Sequence, residues 1–264
     1  MRGLSLLKLS HSCKLSSGKV VNRQPNRYNL VMEIKRWDSL DVSPMEATEM
    51  QRRLAGEVSR ESEPISPRYI AGVDISVRRG QETATSSAVV LSYPELEPVE
   101  TRIARGKLDF PYIPGLLSFR ELPLTLAACQ QLSIIPDLIF VDGQGIAHPR
   151  RFGIASHLGL FLDIPTIGCA KSLLCGSHEA PAEEQGSYAE IIDKGETIGA
   201  ALRTKAGIKP VYVSIGHKID LPEAIHWVMQ CCRSYRLPEP ARLAHQAAKG
   251  SLTAETKEAI FAGN

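Results

Sequence analysis

The sequence predicts a mixed α/β fold in which helices flank a single sheet. Three strand-like segments separated by short turns come first, over residues 68–77, 88–93 and 98–104, which favours an antiparallel meander. Helical and strand-like segments then alternate along the chain, which favours later strands that run parallel and are joined through helices. We therefore expect three antiparallel strands followed by parallel ones.

The first element is a predicted helix over residues 44–60, where apolar residues recur at helical spacing after Ser43, a good N-cap. Residues 138–141 form a short apolar run between Pro136 and Gly143, which is typical of a buried strand. The other predicted segments are helices at 122–132, 152–162 and 222–235 and strands at 166–170, 198–204 and 211–214.

Composition is that of a globular protein, with 264 residues of which 43% are hydrophobic and 23% are charged. The net charge is only +2, and six of the 31 basic residues lie in the first 32 positions, where there is no acidic residue. The remainder carries 25 basic against 29 acidic residues. Any nucleic-acid site must therefore be a local patch and not a basic surface overall.

We divide the chain into a basic tail at residues 1–32, one domain at 33–250 and a C-terminal tail at 251–264. The first tail is a transit peptide, a disordered extension, or a stretch upstream of a true start at Met32. No apolar run approaches the ~20 residues that span a bilayer, so we expect no membrane association. The six cysteines contain no C-x-x-C pair, which favours free thiols in a reducing cytoplasm. We also expect the protein to be a monomer.

The most informative segment is residues 137–159, where an acid, a permissive backbone and cationic groups follow the predicted strand 138–141. Asp142 ends this strand and so faces the open edge of a sheet. Glycines after Asp142 let a flat group approach the backbone closely. Arginine side chains in the same segment are suited to binding phosphate through charged hydrogen bonds. The residues concerned are Gly143, Gly145, His148, Arg150 and Arg151. This grouping indicates metal-assisted chemistry on a phosphate ester.

Two further carboxylates accompany Asp142. Asp74 lies in the middle of the first predicted strand, and Glu121 is expected to begin a helix. If the first and fourth strands are neighbours, Asp74 and Asp142 converge, and clustered carboxylates repel one another unless a cation neutralises them. Hard oxygen ligands without thiolates favour Mg²⁺, with Mn²⁺ as a substitute, over zinc.

Each residue alone has a simpler interpretation. A strand aspartate is often a salt-bridge or turn residue, Glu121 suits a solvated helix start, and a histidine such as His148 often bonds a loop carbonyl. Lys171 is consistent with a surface lysine and Tyr112 with a packed loop tyrosine. The combination of these residues, and not any one of them, supports a functional site.

Five segments in order, residues 69–76, 111–121, 141–153, 165–171 and 237–245, resemble the motifs of the endonuclease V family. The resemblance implies an RNase H-like fold, a mixed sheet flanked by helices. It also implies a Mg²⁺-dependent nuclease that acts on inosine-containing strands and initiates DNA repair. Such an enzyme cuts the second phosphodiester on the 3′ side of the lesion and leaves 3′-hydroxyl and 5′-phosphate ends.

The resemblance also assigns roles to residues. Its metal ligands match Asp74, Glu121, Asp142 and His245, and its other catalytic groups match Lys171 and His148. The wedge that enters the helix beside the lesion matches Pro111, Tyr112, Ile113 and Pro114. The lesion-binding surface is expected to comprise apolar Leu117, Ile154 and Leu174, the backbone of Gly143, Gly145 and Gly168, and the cations Arg150 and Arg151.

Two departures from the family pattern adjoin these residues. Gln144 stands where bacterial members often have histidine, and Ser172 stands where a second lysine is common. We expect altered kinetics from them, not loss of activity. The residues of these motifs resemble those of bacterial members of the family, which favours DNA as the substrate. The alternatives are an inosine-specific endoribonuclease, a structure-specific RNase H-like nuclease, and a non-catalytic inosine-binding protein.

Overall fold

The computed structural model describes residues 32–36, 38–77, 83–252 and 257–260. Residues 1–31 of the predicted basic tail lie outside this description, and its last residue, Met32, is buried in the core. No helix in the described ranges combines the length and the apolar character needed to cross a membrane.

Fourteen elements follow one another along the described chain. They are α1 (Pro44–Ala55), β1 (Tyr69–Val77), β2 (Thr83–Ser92), β3 (Pro98–Lys107), α2 (Leu117–Cys129), β4 (Leu138–Val141), α3 (Ile154–Leu162), β5 (Thr166–Ala170), β6 (Tyr188–Asp193), β7 (Glu196–Leu202), β8 (Val211–His217), α4 (Leu221–Gln230), α5 (Glu239–Ala248) and β9 (Lys257–Ile260). The last of these, β9, falls within the residues that the sequence assigns to a C-terminal tail.

The strands form one nine-stranded sheet in the order β6-β7-β8-β5-β4-β1-β2-β3-β9. β1, β2 and β3 form the predicted antiparallel meander, and β4 pairs in parallel with both β1 and β5. The other strands extend the two edges, with β8, β7 and β6 antiparallel and β9 parallel to β3. The predicted fold class, a mixed sheet flanked by helices, is confirmed.

The central strands explain where the site lies. All four residues of β4 and all five of β5 are buried, which is typical of strands covered by helices on both faces. In the parallel pair β1–β4, Val73 lies opposite Val141. The next residue of each strand segment is an aspartate, so Asp74 and Asp142 lie level at neighbouring positions, as the sequence predicts.

Helix α5 lies directly on β1 because Gly72 has no side chain. A Cβ atom at Gly72 would lie 1.9 Å from the carbonyl oxygen of Pro240, so only glycine permits this approach. The Ser87 hydroxyl of β2 donates to the carbonyl of Ala244 at 2.7 Å and holds the other end of the helix. These two contacts fix the position of His245, which follows Ala244.

The predicted start of α2 was wrong for an identifiable reason. α2 begins at Leu117, not at residue 122, because the helix continues through Pro123, a residue that usually marks a first turn. Glu121 therefore lies in the second turn of α2 and does not begin it.

Three elements were missed altogether, namely α5, β6 and β9, the last of which lies in the predicted C-terminal tail. α5 starts in a proline-rich segment, and four of the seven residues that it buries are alanines, which mark a buried face less clearly than large apolar residues do. β6 buries only Ile191 and is an edge strand, so it lacks the apolar alternation of a half-buried strand.

We predict that Gly72→Ala destabilises the protein by about 1–3 kcal/mol, because the new methyl group must push α5 away from β1. Gly56→Ala is the matched control, since its Cβ would lie at an ordinary 3.6 Å from the Arg53 carbonyl oxygen and the residue has an αR backbone. Urea unfolding measures both changes. Equal midpoints for Gly72→Ala and wild type would contradict the close approach of α5.

Candidate active site

Asp74, Asp142 and His245 come together from three elements. Asp74 belongs to β1, Asp142 follows β4, and His245 lies in the last turn of α5. Their ligand atoms all lie within 4.8 Å of one another. The His245 Nδ1 atom is 2.6 Å from Asp74 Oδ2 and 4.0 Å from Asp142 Oδ2. The sequence prediction that Asp74 and Asp142 converge is thus met in the folded chain.

Lys171 completes this cluster. It follows β5, the neighbour of β4, and its ammonium group forms an ion pair with Asp142. The Lys171 Nζ atom also lies 3.4 Å from His245 Nδ1. Arg236 donates to the Lys171 carbonyl at 2.8 Å and so holds the backbone from which the lysine extends.

The electrostatics of the cluster favour a cation. Burial and the nearby charge of Asp142 raise the pKa of Asp74 to about 6. Burial and the charges of Asp74 and Asp142 raise the pKa of Glu121 to about 8. Glu121 is therefore close enough to interact with both aspartates, although it is not in the set within 4.8 Å. Its predicted role as a ligand stays a prediction.

The donor set fits a divalent ion. Two carboxylates and one imidazole offer oxygen and nitrogen ligands, and a cation between them would remove the repulsion that raises the pKa of Asp74. No thiolate takes part, which argues against a structural zinc site.

A cavity of about 410 Å³ adjoins this cluster and shares Asp142 and Lys171 with it. Its volume lies within the usual range for ligand pockets. Predicted site residues that line it are Tyr112, Ile113, Pro114, Leu117, Asp142, Gly143, His148, Ile154, Lys171 and Leu174. Tyr112 is 72% exposed although it lines the cavity, so its ring is not a packed core tyrosine.

Some predicted lesion-binding residues lie elsewhere. Pro111 lines a neighbouring groove with Phe110 and Arg120. The amide of Gly145 donates to the Ser214 hydroxyl at 2.9 Å, and a Cβ at Gly168 would lie 2.5 Å from Gly145 N. These two glycines therefore pack backbone against backbone, and their predicted contact with a base stays a prediction.

His148 is a buried, neutral histidine. Its Nε2 atom lies 3.0 Å from the Gly115 carbonyl oxygen, and its Nδ1 atom accepts from the amide of Arg150 at 3.1 Å. Burial and the charge of Arg150 lower its pKa to about 4. This is the simpler interpretation considered from sequence, a histidine that bonds a loop carbonyl, and its predicted catalytic role stays a prediction.

Arg150 and Arg151 have different surroundings. Arg150 donates to the Gly115 carbonyl at 2.7 Å and to the side-chain oxygen of Gln51. Arg151 forms ion pairs with Asp193 at 2.8 Å and with Glu196 at 2.6 Å. The lesion-binding role predicted for both stays a prediction, but their guanidinium groups already organise the loop that follows Asp142.

The two departures from the family pattern, Gln144 and Ser172, are neighbours in the structure. The Gln144 side-chain amide donates to the Ser172 carbonyl at 2.9 Å, and both residues line the cavity. Gln144 thus links the loop after β4 to the loop after β5. Gln144, which stands where bacterial members often have histidine, therefore has a hydrogen-bond partner within the protein.

Sequence reasoning missed six further residues that line the cavity. Five of them adjoin predicted residues along the chain, so extending each set of predicted residues by one position would have found them. The six are Gln51, Gly115, Ser118, Gly153, Ala170 and Leu173. Gln51 is different, because it lies in α1, far from every motif, and no sequence signal marks it.

Comparison with known proteins places this geometry in a family. The sequence profile of endonuclease V matches residues 52–246. The chain is 50% identical over 224 residues to endonuclease V from Gloeobacter violaceus, a match that covers 84% of this chain and 90% of that protein.

Solved structures agree. Endonuclease V from Streptomyces avermitilis superposes with a TM-score of 0.76 at 39% identity and covers 84% of this chain and 98% of its own. Endonuclease V from Ciona intestinalis superposes with a TM-score of 0.67 at 31% identity and covers 79% of this chain and 97% of its own. That structure is a complex with a 24mer DNA containing an inosine followed by a ribo-adenosine. Since the matching profile spans most of the chain and includes Asp74, Asp142 and His245, the protein belongs to the endonuclease V family.

Proposed function

We propose that this endonuclease recognises deoxyinosine in DNA and hydrolyses the strand near the lesion with the help of a divalent cation. The observation that carries the proposal is the shared position of Asp142 and Lys171, which belong both to the acidic cluster and to the cavity beside it. A site for a flat ligand and a site for phosphate chemistry thus meet at the same two residues. The Ciona relative, crystallised with inosine-containing DNA, supports the choice of substrate.

The cavity receives the hypoxanthine base. Leu117, Ile154 and Leu174 supply apolar walls, and the exposed ring of Tyr112 stacks on a neighbouring base or fills the gap that the displaced one leaves. Such stacking contributes ~1–3 kcal/mol per base. Displacing a base costs a few kcal/mol and less for a poorly paired one, which favours hypoxanthine over normal bases.

Asp74, Asp142 and His245 hold Mg²⁺, or Mn²⁺ in its place, and Glu121 supports the same centre. When bound, this ion polarises a phosphoryl oxygen, lowers the pKa of water and stabilises the departing oxygen. Lys171 contributes a positive charge beside the attacked phosphate. On the family resemblance, the cut falls at the second phosphodiester 3′ to the lesion and leaves 3′-hydroxyl and 5′-phosphate ends, which initiates repair.

We predict that wild-type protein with Mg²⁺ cuts a deoxyinosine-containing duplex, and that Asp142→Asn lowers the rate about 100-fold or more, because it removes a charged ligand and keeps the shape. Glu184→Gln, at an exposed position, is the control. Gel analysis of end-labelled strands measures the cut and its position.

Three results would contradict this assignment. Equal cutting by wild type and Asp142→Asn would remove the metal role of Asp142. Equal cutting of flaps or mismatches without inosine would favour a structure-specific nuclease. Tight binding without any product would favour a non-catalytic inosine-binding protein.

We predict that a deoxyinosine strand is cut faster than a matched inosine-containing RNA strand. The decision depends on how the site treats the 2′-hydroxyl group, which is what lets a protein tell RNA from DNA. Single-turnover rates on the two strands, which share sequence and label, measure the preference. Faster cutting of RNA would make the protein an inosine-specific endoribonuclease instead.

We predict that Glu121→Gln makes the metal-free protein more stable than wild type at high pH. The pKa of Glu121 is raised from 4.5 to about 8 in the folded state. Between these values the folded protein binds more protons at this site than the unfolded chain, so the free energy of unfolding falls as pH rises. Glu121→Gln removes the titrating group, so the variant does not show this decrease in the free energy of unfolding as pH rises.

The advantage of Glu121→Gln is therefore expected to be small near pH 4.5, to grow up to about pH 8 and to stay constant above it. Urea unfolding with a chelator at several pH values measures it, with Glu49→Gln on the exposed face of α1 as control. A divalent ion at 100 times its Kd should add ~2.7 kcal/mol to the wild type at pH 8. Parallel pH curves for Glu121→Gln and wild type would refute the prediction.

A further inference from the structure

The loop at residues 110–115, here called the wedge loop, ends in a partly buried polar cluster. The carbonyl oxygen of Gly115 lies within hydrogen-bond distance of three side chains. These are Gln51 Nε2 at 3.0 Å, His148 Nε2 at 3.0 Å and Arg150 Nη2 at 2.7 Å. A carbonyl oxygen has two lone pairs, so three donors fully occupy it. We call these four residues the Gly115 cluster.

Gln51 is the residue that joins the separate parts of the cluster. It is fully buried, and its amide nitrogen donates to the carbonyls of both Gly115 and Phe152, the latter at 3.1 Å. Its amide oxygen accepts from the guanidinium of Arg150. One side chain thereby connects helix α1, the end of the wedge loop and the segment that follows Asp142.

The chemistry of these contacts requires a glutamine. Gln51 donates two hydrogen bonds and accepts one at the same time, and its three partners are Gly115 and Arg150 of the cluster and the carbonyl of Phe152. A glutamate has no N–H group for the two carbonyls, and a methionine of nearly the same shape has neither donor nor strong acceptor. Removing a buried partner leaves the remaining polar groups unsatisfied.

The wedge loop is held at both ends and exposed between them. At its start, Arg120 donates to the carbonyl of Phe110. At its end, Gly115 has a φ of +80°, and a Cβ there would lie 2.9 Å from Arg150 Nη2, so glycine is required for the carbonyl to enter the cluster. Tyr112, between the two ends, remains 72% exposed. The position of its ring therefore depends on how firmly the ends are held.

We propose that Gln51 is a positioning residue that fixes the wedge loop against the segment following Asp142 and so presents Tyr112 in the orientation needed to open a duplex. The inference rests on the proposed function, because it assigns Tyr112 to the displacement of the lesion. Helix α1 is then part of the substrate-opening machinery as well as of the scaffold. Pre-organising the loop saves the ordering cost that binding would otherwise incur.

The first test is a double-mutant cycle on a deoxyinosine duplex. Gln51→Met should lower kcat/KM about tenfold, the equivalent of one lost buried hydrogen-bonding partner. Tyr112→Ala should lower it as well, and the double variant should be no worse than Tyr112→Ala alone. Leu54→Val, which loosens the packing of α1 without touching the cluster, should combine multiplicatively with Tyr112→Ala.

Single-stranded deoxyinosine provides a second comparison, because it needs no duplex opening. Gln51→Met should lose several-fold less activity on this strand than on the duplex, with unchanged Mn²⁺ affinity. Wild-type rates for Gln51→Met on the duplex, or a multiplicative effect in the double variant, would overturn the proposal. An equal loss on single and double strands would do the same, since it would indicate a general structural defect.

Hydrogen exchange of the free protein tests the inference without any substrate. The amide of Leu116, which donates to the Ile113 carbonyl at 2.9 Å, should exchange at least about tenfold faster in Gln51→Met, while the amides of β1 should be unchanged. If wild type does not cut deoxyinosine but the Leu116 amide behaves as stated, the proposed function fails and the role of Gln51 in holding the loop stands. Unchanged exchange at this amide would overturn the positioning role whatever the substrate is.

Discussion

The repulsion between Asp74 and Asp142 is the constraint on which this site depends. Parallel pairing of β1 with β4 brings the two carboxylates level, and burial prevents water from screening them. Among the described residues, the compensating side-chain contacts come from Lys171, which follows β5, and from His245 of α5. The sheet order and the close approach of α5 to β1 are therefore both conditions for a stable acidic cluster.

The short segment 142–153 connects the two halves of the site. At its start it supplies Asp142 to the acidic cluster. Two residues later, the side-chain amide of Gln144 donates to the carbonyl of Ser172, the residue that follows Lys171. Further on, His148 and Arg150 hold the end of the wedge loop. A displacement of this segment would therefore move both the groups that face the phosphate and the loop that faces the base. Its polar side chains accordingly form hydrogen bonds within the protein, which hold the segment in place.

The sequence predicted what depends on local pattern and failed where tertiary contacts decide. The convergence of Asp74 and Asp142 followed from two buried strands that each lead into an aspartate, and it needed only their adjacency. His245 came from the family resemblance alone, because α5 begins in a proline-rich segment and buries mostly alanines, so no helix was predicted there. Gln51 could not be predicted from the sequence. It lies 64 residues before its partner Gly115, and a single buried glutamine in a helix does not change the hydrophobic pattern of that helix.

The structure also distinguishes two arginines that the sequence treats alike. The charge of Arg151 is neutralised locally by Asp193 and Glu196, and its side chain is only 14% exposed. The bonds of Arg150 go instead to neutral oxygens, those of Gly115 and Gln51. Bonds to neutral acceptors orient a guanidinium without cancelling its charge, so Arg150 retains a positive field beside the cavity. Of the two, Arg150 is therefore the better candidate to attract a phosphate, and the neutral amide of Gln51 is what leaves that charge available.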